Sequence, residues 1–287
     1  MKAAIIKGGN LYWEDVLDPV LADGEVLVEV YAAAVNRADL MQVDGDYPPP
    51  PGCPDWPGLE ISGIIIETKG NVGRWKVGDK VCALLGGGGY AEYVSVHHSM
   101  LMPIPKGLNM IEAAALPEAF ATAYLTLFME GDAKPGDNLL MHAGASGLAS
   151  VIIPLAKAFG LRVITTVLNA KKAASIKHLN ADIVVDTSVQ NIEDVLKEQE
   201  AAGYPLNIAI DCLGGKKMGA CLNYVAYGCR WIMIATLAGD ISQVDLRTIF
   251  MKNIRLIGST LRSKPPEVKA KILSCLVNEV WEKVESG

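Results

Sequence analysis

Short apolar segments alternate with helical segments from about residue 111 to residue 235, and this alternation constrains the fold most strongly. Each apolar segment is five or six residues long and is followed by a stretch in which apolar residues recur at helical spacing. Strands separated by helices form βαβ units, which build a parallel, doubly wound sheet. The strands are predicted at 138–142, 162–167, 182–186, 207–211 and 230–235.

The first 110 residues or so have a different character, because their apolar segments partly alternate with polar residues and follow one another without long helices. Turns rich in proline and glycine separate these segments, above all the run over 44–58 and the four glycines at 86–89. Strands are predicted in this part of the chain at 26–35, 61–68 and 90–96.

The two patterns together predict an α/β protein with two domains, for which 287 residues is a comfortable length. A β-rich domain is expected over 1–116. A Rossmann-type domain, built on a doubly wound parallel sheet, is expected over 117–287. The segment 265–285 is predicted to be one amphipathic helix of that second domain, beginning at a proline.

Charge and cysteine content exclude several classes of protein. The net charge is −6 and no basic run exceeds two lysines, so no nucleic-acid partner is predicted. The six cysteines and four histidines show no metal-ligand spacing, which predicts no metal and favours free thiols in the cytoplasm. The uncharged stretch 138–156 is interrupted by histidine, glycine and proline, so no membrane span is predicted.

The segment HAGASGLAS (142–150) follows a predicted strand and precedes a helix, which is the context of a dinucleotide-binding loop. Such a loop needs a tight turn, bare backbone beside a phosphate and close packing of the helix on the strand. Gly144 meets the first need, Gly147 the second and Ala149 the third, while Ser146 offers a hydroxyl group. From the loop alone, a nucleotide site and an ordinary strand–helix turn remain equally open.

The end of the second parallel strand bears on the choice between NADH and NADPH. An NAD site has an acidic residue there, about 20 residues beyond the glycines, that binds the ribose 2′-hydroxyl. This chain has VLNAKK (167–172), with no carboxylate to repel a 2′-phosphate and with Lys171 and Lys172 to pair with it. NADPH is therefore favoured, although each lysine taken singly is equally compatible with a solvated helix face.

Motifs along the whole chain resemble those of the zeta-crystallin-like NADPH:quinone oxidoreductases, which belong to the medium-chain dehydrogenase/reductase superfamily. In combination they resemble most closely the branch that a tumour-suppressor transcription factor induces in animals, together with its bacterial relatives. The motifs include NRADL (36–40), PGLEISG (57–63), GGGGYAEY (86–93), AAALPEAFATAY (113–124) and GSTLRS (258–263).

The resemblance implies a GroES-like catalytic domain with a partly open β-barrel, an NADP-binding Rossmann domain and a cleft between them. It implies a homodimer joined at the edge of the Rossmann sheet near 230–237, and a reaction without zinc. Zinc-dependent relatives have cysteine and histidine where this chain has Asp39 and Leu59. Members of the family continue beyond the position of Gly287, so the GroES-like domain is expected to lack its C-terminal completion.

The resemblance also implies roles for individual residues. Asn36 and Tyr47 are implied at the nicotinamide end of the cofactor, with either Tyr47 or water delivering a proton to the substrate. Structural roles remain open beside these: Asn36 as a helix cap, Tyr47 as packing for a proline loop and Arg262 as an ion-pair partner. The implied cofactor-binding residues are Thr122, Gly144, Ser146, Gly147, Leu148, Ala149, Asn169, Lys172, Thr187, Cys212, Leu213, Gly214, Leu261 and Arg262.

These observations predict an NADPH-dependent, metal-free reductase that transfers hydride to quinones or related α,β-unsaturated carbonyls. Two alternatives stay open: an enoyl-thioester or alkenal reductase, and an NADPH-binding protein with little catalytic activity. The last gains weight from Leu148 and Ala149, where relatives have valine and glycine. It also gains weight from Pro154, which is expected to kink the helix after the loop.

Overall fold

The computed structural model describes residues 1–286, which contain thirteen strands, ten α-helices and five short 3₁₀ or π segments. The strands are β1 (Lys2–Lys7), β2 (Asn10–Asp15), β3 (Glu25–Ala33), β4 (Glu60–Thr68), β5 (Lys80–Leu84), β6 (Tyr93–His97), β7 (Leu101–Pro103), β8 (Asn138–Met141), β9 (Arg162–Val167), β10 (Ile183–Asp186), β11 (Leu206–Asp211), β12 (Val225–Met233) and β13 (Arg255–Gly258). The helices are α1 (Arg37–Asp44), α2 (Met110–Ala114), α3 (Pro117–Tyr124), α4 (Ala149–Ala158), α5 (Ala170–Ser175), α6 (Ile192–Ala201), α7 (Lys216–Cys221), α8 (Leu246–Lys252), α9 (Pro266–Cys275) and α10 (Trp281–Ser286).

The chain divides into two compact units, which differ from the predicted domains at the C-terminal end. Unit 1 comprises residues 1–121 and the segment that begins at Leu261, and unit 2 comprises residues 122–260. The C-terminal helices therefore belong with the β-rich part of the chain and not with the parallel sheet. The reason is tertiary hydrogen bonding: the Trp281 indole donates to the Pro103 carbonyl at 2.9 Å, and the Lys106 amide donates to Glu285 at 2.9 Å.

Unit 2 contains the predicted parallel sheet, in the order β10-β9-β8-β11-β12-β13. All five pairings between neighbouring strands are parallel. The central strands are buried on both faces, as a sheet covered by helices requires, and Leu139, Leu140 and Met141 are fully buried. The fold class predicted from strand–helix alternation is thus confirmed.

The strand order places a topological switch point in the middle of this sheet. The chain leaves β8 and builds outward through β9 and β10, and it later returns to the other side of β8 with β11. The loops that follow β8 and β11 therefore diverge at the carboxyl edge of the sheet. In open α/β sheets, ligands bind at this position.

The outer edge of the sheet lies one strand beyond the predicted position. The sequence places the edge near 230–237, but β12 pairs with β13 through Arg230 and Arg255, and onward to Met233 and Gly258. β13 is therefore the edge strand, and the prediction of the edge at 230–237 is wrong by one strand. Four residues of β13 were too few to stand out as a strand in the sequence.

Unit 1 holds an antiparallel sheet in the order β6-β3-β4-β5-β7 and a separate hairpin of β1 and β2. Gly8 and Gly9, both with positive φ (56° and 74°), form the hairpin turn, because two-residue hairpin loops favour residues that tolerate such angles. The sheet alternates buried and exposed residues along β3 and β6 and packs its inner face around Ile61 and Ile65. The predicted β-rich character of this part is confirmed.

No helix among residues 1–286 is long and apolar enough to cross a membrane.

Candidate functional site

The loop after β8 is shaped by the need to bring the backbone close to β9. The Gly144 amide donates to the Thr166 carbonyl at 2.8 Å, and a Cβ on Gly144 would collide with the Thr165 side chain and press on Ile176. Glycine is therefore required at this position for packing. Ala143 has a left-handed φ of 54°, which is unusual for a residue with a side chain and typical of strained loops at binding sites.

The other half of the loop presents unpaired backbone donors to solvent. Gly147 is exposed, and a Cβ there would meet no atom within 4 Å. Within residues 1–286, the amides of Gly147 and Leu148 have no hydrogen-bond partner. They stand at the N-terminus of α4, where the helix dipole favours an anion. The residues therefore fit a pyrophosphate: open space, bare backbone and free N–H groups coincide.

The helix after the loop is continuous through its internal proline. Ala149 is fully buried against the sheet, so a small residue is needed there, and Ser146 Oγ accepts from its amide at 3.2 Å. Pro154 lies on the exposed side of α4, as does Ser150, whose carbonyl loses its helical donor. Because that carbonyl faces water, the helix accommodates the proline without interruption.

Asp211, at the end of β11, holds the second loop of the switch point. It is 1% exposed, and its Oδ1 accepts from the amides of Leu213 and Gly214 at 2.7 and 3.0 Å. Its Oδ2 accepts from the Trp231 indole at 3.0 Å. Gly214 has a φ of 59°, which favours glycine. Cys212 is buried, and burial raises the pKa of its thiol to about 11, so the thiol stays protonated.

His142 joins the two loops through a buried polar cluster. The sequence predicted it only as the last residue of a strand. Its Nδ1 lies 3.0 Å from the Thr166 hydroxyl, its carbonyl accepts weakly from Cys212 Sγ, and its ring lies 6.2 Å from that of Trp231. Burial lowers the pKa of His142, against the nearby charge of Asp211, so the ring is neutral. A histidine and an aspartate at the ends of adjacent strands β8 and β11 were the available sequence signal.

The ends of β9 and β10 carry the residues predicted around the adenosine and the 2′-phosphate. Asn169 caps α5, because its side chain accepts from the Lys172 amide at 3.0 Å. Lys172 is exposed, and its ammonium has no carboxylate partner within residues 1–286. Thr187 is tied to the end of β9 by its hydroxyl, which donates to the Val167 carbonyl at 3.0 Å. The structure thus brings Asn169 and Thr187 to the carboxyl edge on which the β8 loop lies.

Thr122 and Leu261, two further predicted cofactor residues, occupy different settings. Thr122 lies on α3, where its carbonyl accepts from the Thr126 hydroxyl at 2.8 Å. Leu261 is 6% exposed and opens the C-terminal segment of unit 1. A cofactor contact for these two residues stays a prediction.

In unit 1, Arg262 is buried and binds three segments of the chain. Its guanidinium donates to the Gly86 carbonyl at 2.7 Å, the Tyr47 carbonyl at 3.2 Å and the Gln42 side chain at 2.7 Å. Its Cζ also stands 4.9 Å from the centroid of the Tyr47 ring, in cation–π geometry. Arg262 is therefore not the surface ion-pair partner considered from the sequence, because it is buried and holds the Tyr47 loop in place. A cofactor contact of Arg262 stays a prediction.

Tyr47 keeps its phenolic group available. Within residues 1–286, its hydroxyl makes no hydrogen bond. Burial raises the pKa of Tyr47, Arg262 lowers it and Glu118 raises it. The phenol is therefore protonated at neutral pH and can donate a hydrogen bond.

Asn36 connects two buried carboxylates. Its amide side chain donates to Glu60 Oε1 at 2.8 Å, and its backbone N–H donates to Asp39 Oδ2 at 2.7 Å. The second bond caps the start of α1, so the capping role considered for this segment is present, but Asp39 supplies the acceptor. Asp39 also accepts from the Gly58 amide and the Tyr90 hydroxyl, both at 2.9 Å.

Glu118, which sequence reasoning did not single out, completes a cluster of three acidic side chains with Asp39 and Glu60. Its amide donates to Glu60 Oε2 at 2.9 Å, so both Glu60 oxygens accept a hydrogen bond. Burial, opposed by these hydrogen bonds, raises the pKa of Glu60 to about 7. Burial and the charges of Glu60 and Asp39 raise the pKa of Glu118 to about 8, against Lys269 and Arg262. Its position one residue after the proline that starts α3 was its only sequence signal.

The described residues do not fit a metal ion. No group of three or more His, Cys, Asp or Glu side chains within residues 1–286 has a metal-binding arrangement. At Asp39 both oxygens are taken by backbone and hydroxyl donors, and Leu59, which is 1% exposed, offers no ligand atom.

Comparison with protein families gives two matches that together span both units. Residues 22–106 match the alcohol dehydrogenase GroES-like domain, and residues 147–278 match the family described as zinc-binding dehydrogenase. The second description includes a metal that residues 1–286 do not fit. The first agrees with the predicted GroES-like character of the β-rich part.

Individual proteins give the same result. The quinone oxidoreductase-like protein 2 homolog of Nematostella vectensis is 32% identical over 83% of this chain and 65% of its own length. Quinone oxidoreductase-like protein 2 of Bos taurus is 30% identical over 85% of this chain and 70% of its own. The quinone oxidoreductase of Thermus thermophilus, whose structure was also solved in complex with NADPH, superimposes with a TM-score of 0.77. It is 29% identical over 98% of this chain and 88% of that chain.

Proposed function

Since the chain belongs to the zeta-crystallin-like quinone oxidoreductases of the medium-chain dehydrogenase/reductase superfamily, we propose that it is an NADPH-dependent reductase of quinones and related α,β-unsaturated carbonyls. One observation supports the proposal most directly: the loop over 143–148 presents unpaired backbone donors at the switch point of a parallel sheet. The aligned region spans only 65% and 70% of the two animal relatives, so activity, substrate and partners are inferred for this chain from its own residues.

We assign the cofactor's pyrophosphate to the residues around the β8 loop. The free amides of Gly147 and Leu148 would donate to phosphate oxygens, with the Ser146 hydroxyl beside them. Gly144 and Ala149 let the loop and helix pack closely on the sheet, and so act indirectly. The segment Cys212–Gly214, fixed by Asp211, would border the ribose next to the nicotinamide.

We assign the adenosine end to residues at the ends of β9 and β10. Lys172 is an exposed cation without a carboxylate partner in the described part of the chain, and Asn169 has a free amide group once its oxygen caps α5. A phosphate monoester binds to such donors. Because no carboxylate occupies 167–172, nothing in that segment repels a 2′-phosphate, which favours NADPH over NADH. Thr187 would flank the adenosine.

When bound, the reduced nicotinamide supplies a hydride, and the chain's residues supply orientation and charge stabilisation. Reduction of a quinone places negative charge on an oxygen. The protonated Tyr47 phenol, whose hydroxyl bonds to no other described residue, is suited to donate a hydrogen bond to that oxygen. Asn36 is held by Glu60 and Asp39, and it would orient the amide of the nicotinamide or the substrate.

We also propose that two copies of the chain associate through the edge of the unit 2 sheet. β13 leaves one side of its backbone unpaired within residues 1–286, and unpaired edge strands readily pair with another chain. Large apolar side chains nearby are exposed, including Phe250 at 77%, Leu246 at 72% and Met251 at 57%. A cytoplasmic protein is proposed, from the free thiols of the six cysteines.

The function is tested by comparing substrate classes under identical conditions. Oxidation of NADPH is followed with 1,2-naphthoquinone, with an alkenal and with crotonyl-coenzyme A. Turnover that is highest with the quinone supports the proposal, and turnover that is highest with the thioester or alkenal supports an enoyl reductase instead. Tight NADPH binding by calorimetry without turnover on any acceptor would leave a nucleotide-binding protein.

A further inference from the structure

Three acidic side chains from three different elements meet in unit 1, and only two of them are fully bound. Asp39 from α1 accepts three hydrogen bonds, and Glu60 from β4 accepts one on each oxygen. In all five hydrogen bonds an N–H or O–H group donates to a carboxyl oxygen, so Asp39 and Glu60 both act as acceptors. Within residues 1–286, the carboxyl group of Glu118 on α3 makes no hydrogen bond, although its own backbone amide holds Glu60.

The surroundings of Glu118 make its carboxyl keep a proton to a higher pH than that of Glu60. Glu60 and Asp39 act on it as like charges, and two half-buried or buried cations, Lys269 of α9 and Arg262, act on it as opposite charges. Their opposing effects leave burial and the carboxylates dominant, and Glu118 titrates near the upper end of the physiological range. The charge of Glu118 also acts on the Tyr47 phenol, whose pKa it raises.

We propose that Glu118 is the proton source for the reduction, donating to the substrate oxygen to which Tyr47 donates a hydrogen bond. The inference rests on the proposed function, since it requires a carbonyl acceptor that gains a hydride. It also explains the acidic cluster: Asp39 and Glu60 are fixed in place by hydrogen bonds that they accept, and their charges favour the protonated form of Glu118. An unbonded carboxylic acid with residual exposure can also exchange its proton with water.

The reaction balances as follows in atoms and electrons. The acceptor takes up a hydride, with its two electrons, from the reduced nicotinamide. The O–H bond of Glu118 breaks, its proton forms the new O–H bond on the substrate, and the bonding pair stays on the carboxylate. Glu118 then recovers a proton from solvent, so a quinone becomes a hydroquinone with one hydride and one proton consumed.

The first test is the pH dependence of quinone reduction by the full chain and Glu118→Gln. In the wild type, kcat is expected to fall as the pH rises through about 8, because the donor must be protonated. In Glu118→Gln, kcat is expected to be lower by about 100-fold or more, with this alkaline limb absent. Glu112→Gln, the same change at an exposed position where glutamine also serves in the capping box, is expected to behave as wild type.

A second variant and a second measurement keep the proposal testable if Glu118→Gln does not fold. Glu60→Gln removes the charge that most strongly favours the protonated form of Glu118 after burial, so the alkaline limb should move to lower pH. Infrared difference titration of the cofactor-free protein should show a carboxyl group that loses its proton near pH 8, and this transition should be absent in Glu118→Gln.

The outcomes separate the inference from the proposed function. An inactive wild type on all acceptors contradicts the function. An active wild type whose kcat and pH profile survive Glu118→Gln within about threefold overturns the role of Glu118 alone. An alkaline limb that Glu60→Gln leaves in place, or an infrared titration without the carboxyl transition near pH 8, overturns it as well.

Discussion

Arg262 shows at the scale of one residue how the position of Tyr47, a proposed site residue, and the stability of unit 1 depend on the same side chain. Its guanidinium reaches three acceptors on α1, on the loop before β4 and on the glycine run after β5. A planar group with five fixed donors suits this task, whereas a lysine ammonium is a compact point charge. The Tyr47 loop, which contains four consecutive prolines and little regular structure, depends on this residue for its position.

Arg262→Lys is expected to lower the free energy of unfolding by about 1–3 kcal/mol, because buried acceptors lose their donor. The KM for the quinone should rise as Tyr47 loses its fixed position. Chemical denaturation and steady-state kinetics measure the two effects. Arg247→Lys, on the exposed surface of α8, should change the unfolding free energy by less than about 0.5 kcal/mol. Equal behaviour of both variants would contradict the role of Arg262.

The acidic cluster predicts a pH dependence of stability. Glu60 and Glu118 have an ordinary pKa of 4.5 and folded values of about 7 and about 8, so the folded state binds protons more tightly. Their contribution to stability is complete below pH 4.5 and is lost as the pH rises through 7 to 8. The fall of Tm between about pH 6 and about pH 8.5 should therefore be shallower in Glu118→Gln than in wild type.

Thermal melts at several pH values measure this difference directly. Glu112→Gln is the control, since its carboxyl is exposed and lies outside the cluster. A Glu118→Gln slope equal to that of wild type would mean that Glu118 titrates normally.

Some residues of the proposed site could be predicted from the sequence, but the acidic cluster of Asp39, Glu60 and Glu118 could not. Gly144, Gly147 and Ala149 could be proposed from spacing, because each meets a local requirement of a strand–loop–helix unit. Glu118 could not, because its environment is made by residues 58 to 151 positions away in the chain, from Glu60 to Lys269. A glutamate after a proline is otherwise read as the start of a helix.

At the scale of elements, α4 carries both the predicted nucleotide loop and an internal proline. Pro154 has no N–H for the Ser150 carbonyl, and an interior proline costs a helix about 3 kcal/mol. Part of that cost is offset here, because Ser150 and Pro154 both face solvent. The predicted helix is therefore present despite its internal proline, because its buried residues Ile152, Ile153 and Leu155 pack it on the sheet.

Pro154→Ala is expected to raise the free energy of unfolding by about 1–3 kcal/mol, since it restores one helical hydrogen bond. Pro266→Ala is the matched control: Pro266 opens α9, where no helical partner exists for an N–H. Denaturation curves of both variants check this. A stability gain in Pro266→Ala and none in Pro154→Ala would contradict the account of α4.

The strands differ in how clearly the sequence predicts them. The five predicted parallel strands exist, because buried central strands are continuous apolar runs. Strands β1, β2, β5, β7 and β13 were not predicted. β7 and β13 have three and four residues, and β2 and β13 expose most of their side chains, so neither length nor alternation distinguishes them. The same weakness displaced the predicted sheet edge from β13 to β12.

At the scale of the whole molecule, the exposed edge of unit 2 predicts an oligomer. Phe250→Glu should convert a dimer to a monomer, because it places a charge in the proposed apolar contact. Val189→Glu, on the opposite side of the sheet beyond β10, is the control and should stay dimeric. Analytical ultracentrifugation distinguishes the species. A monomeric wild type at micromolar concentration would contradict the dimer.

Composition and alternation were sufficient for the fold class, but the assignment of the C-terminal helices to unit 1 depended on tertiary bonds. The Trp281 indole donates a hydrogen bond to Pro103, 178 residues away, and no local sequence pattern predicts such a bond. Function likewise needed the strand order, since only the switch point relates the loops after β8 and β11.

The central claim, an NADPH-dependent quinone reductase, is tested most directly by one comparison. The initial rate of nicotinamide oxidation with 1,2-naphthoquinone is measured with NADPH and with NADH, for the wild type and Lys172→Ala. We expect kcat/KM to favour NADPH in the wild type and to lose about tenfold of that preference in Lys172→Ala, with NADH unaffected. Absence of quinone-dependent oxidation of either nucleotide, or a wild-type preference for NADH, would contradict the account.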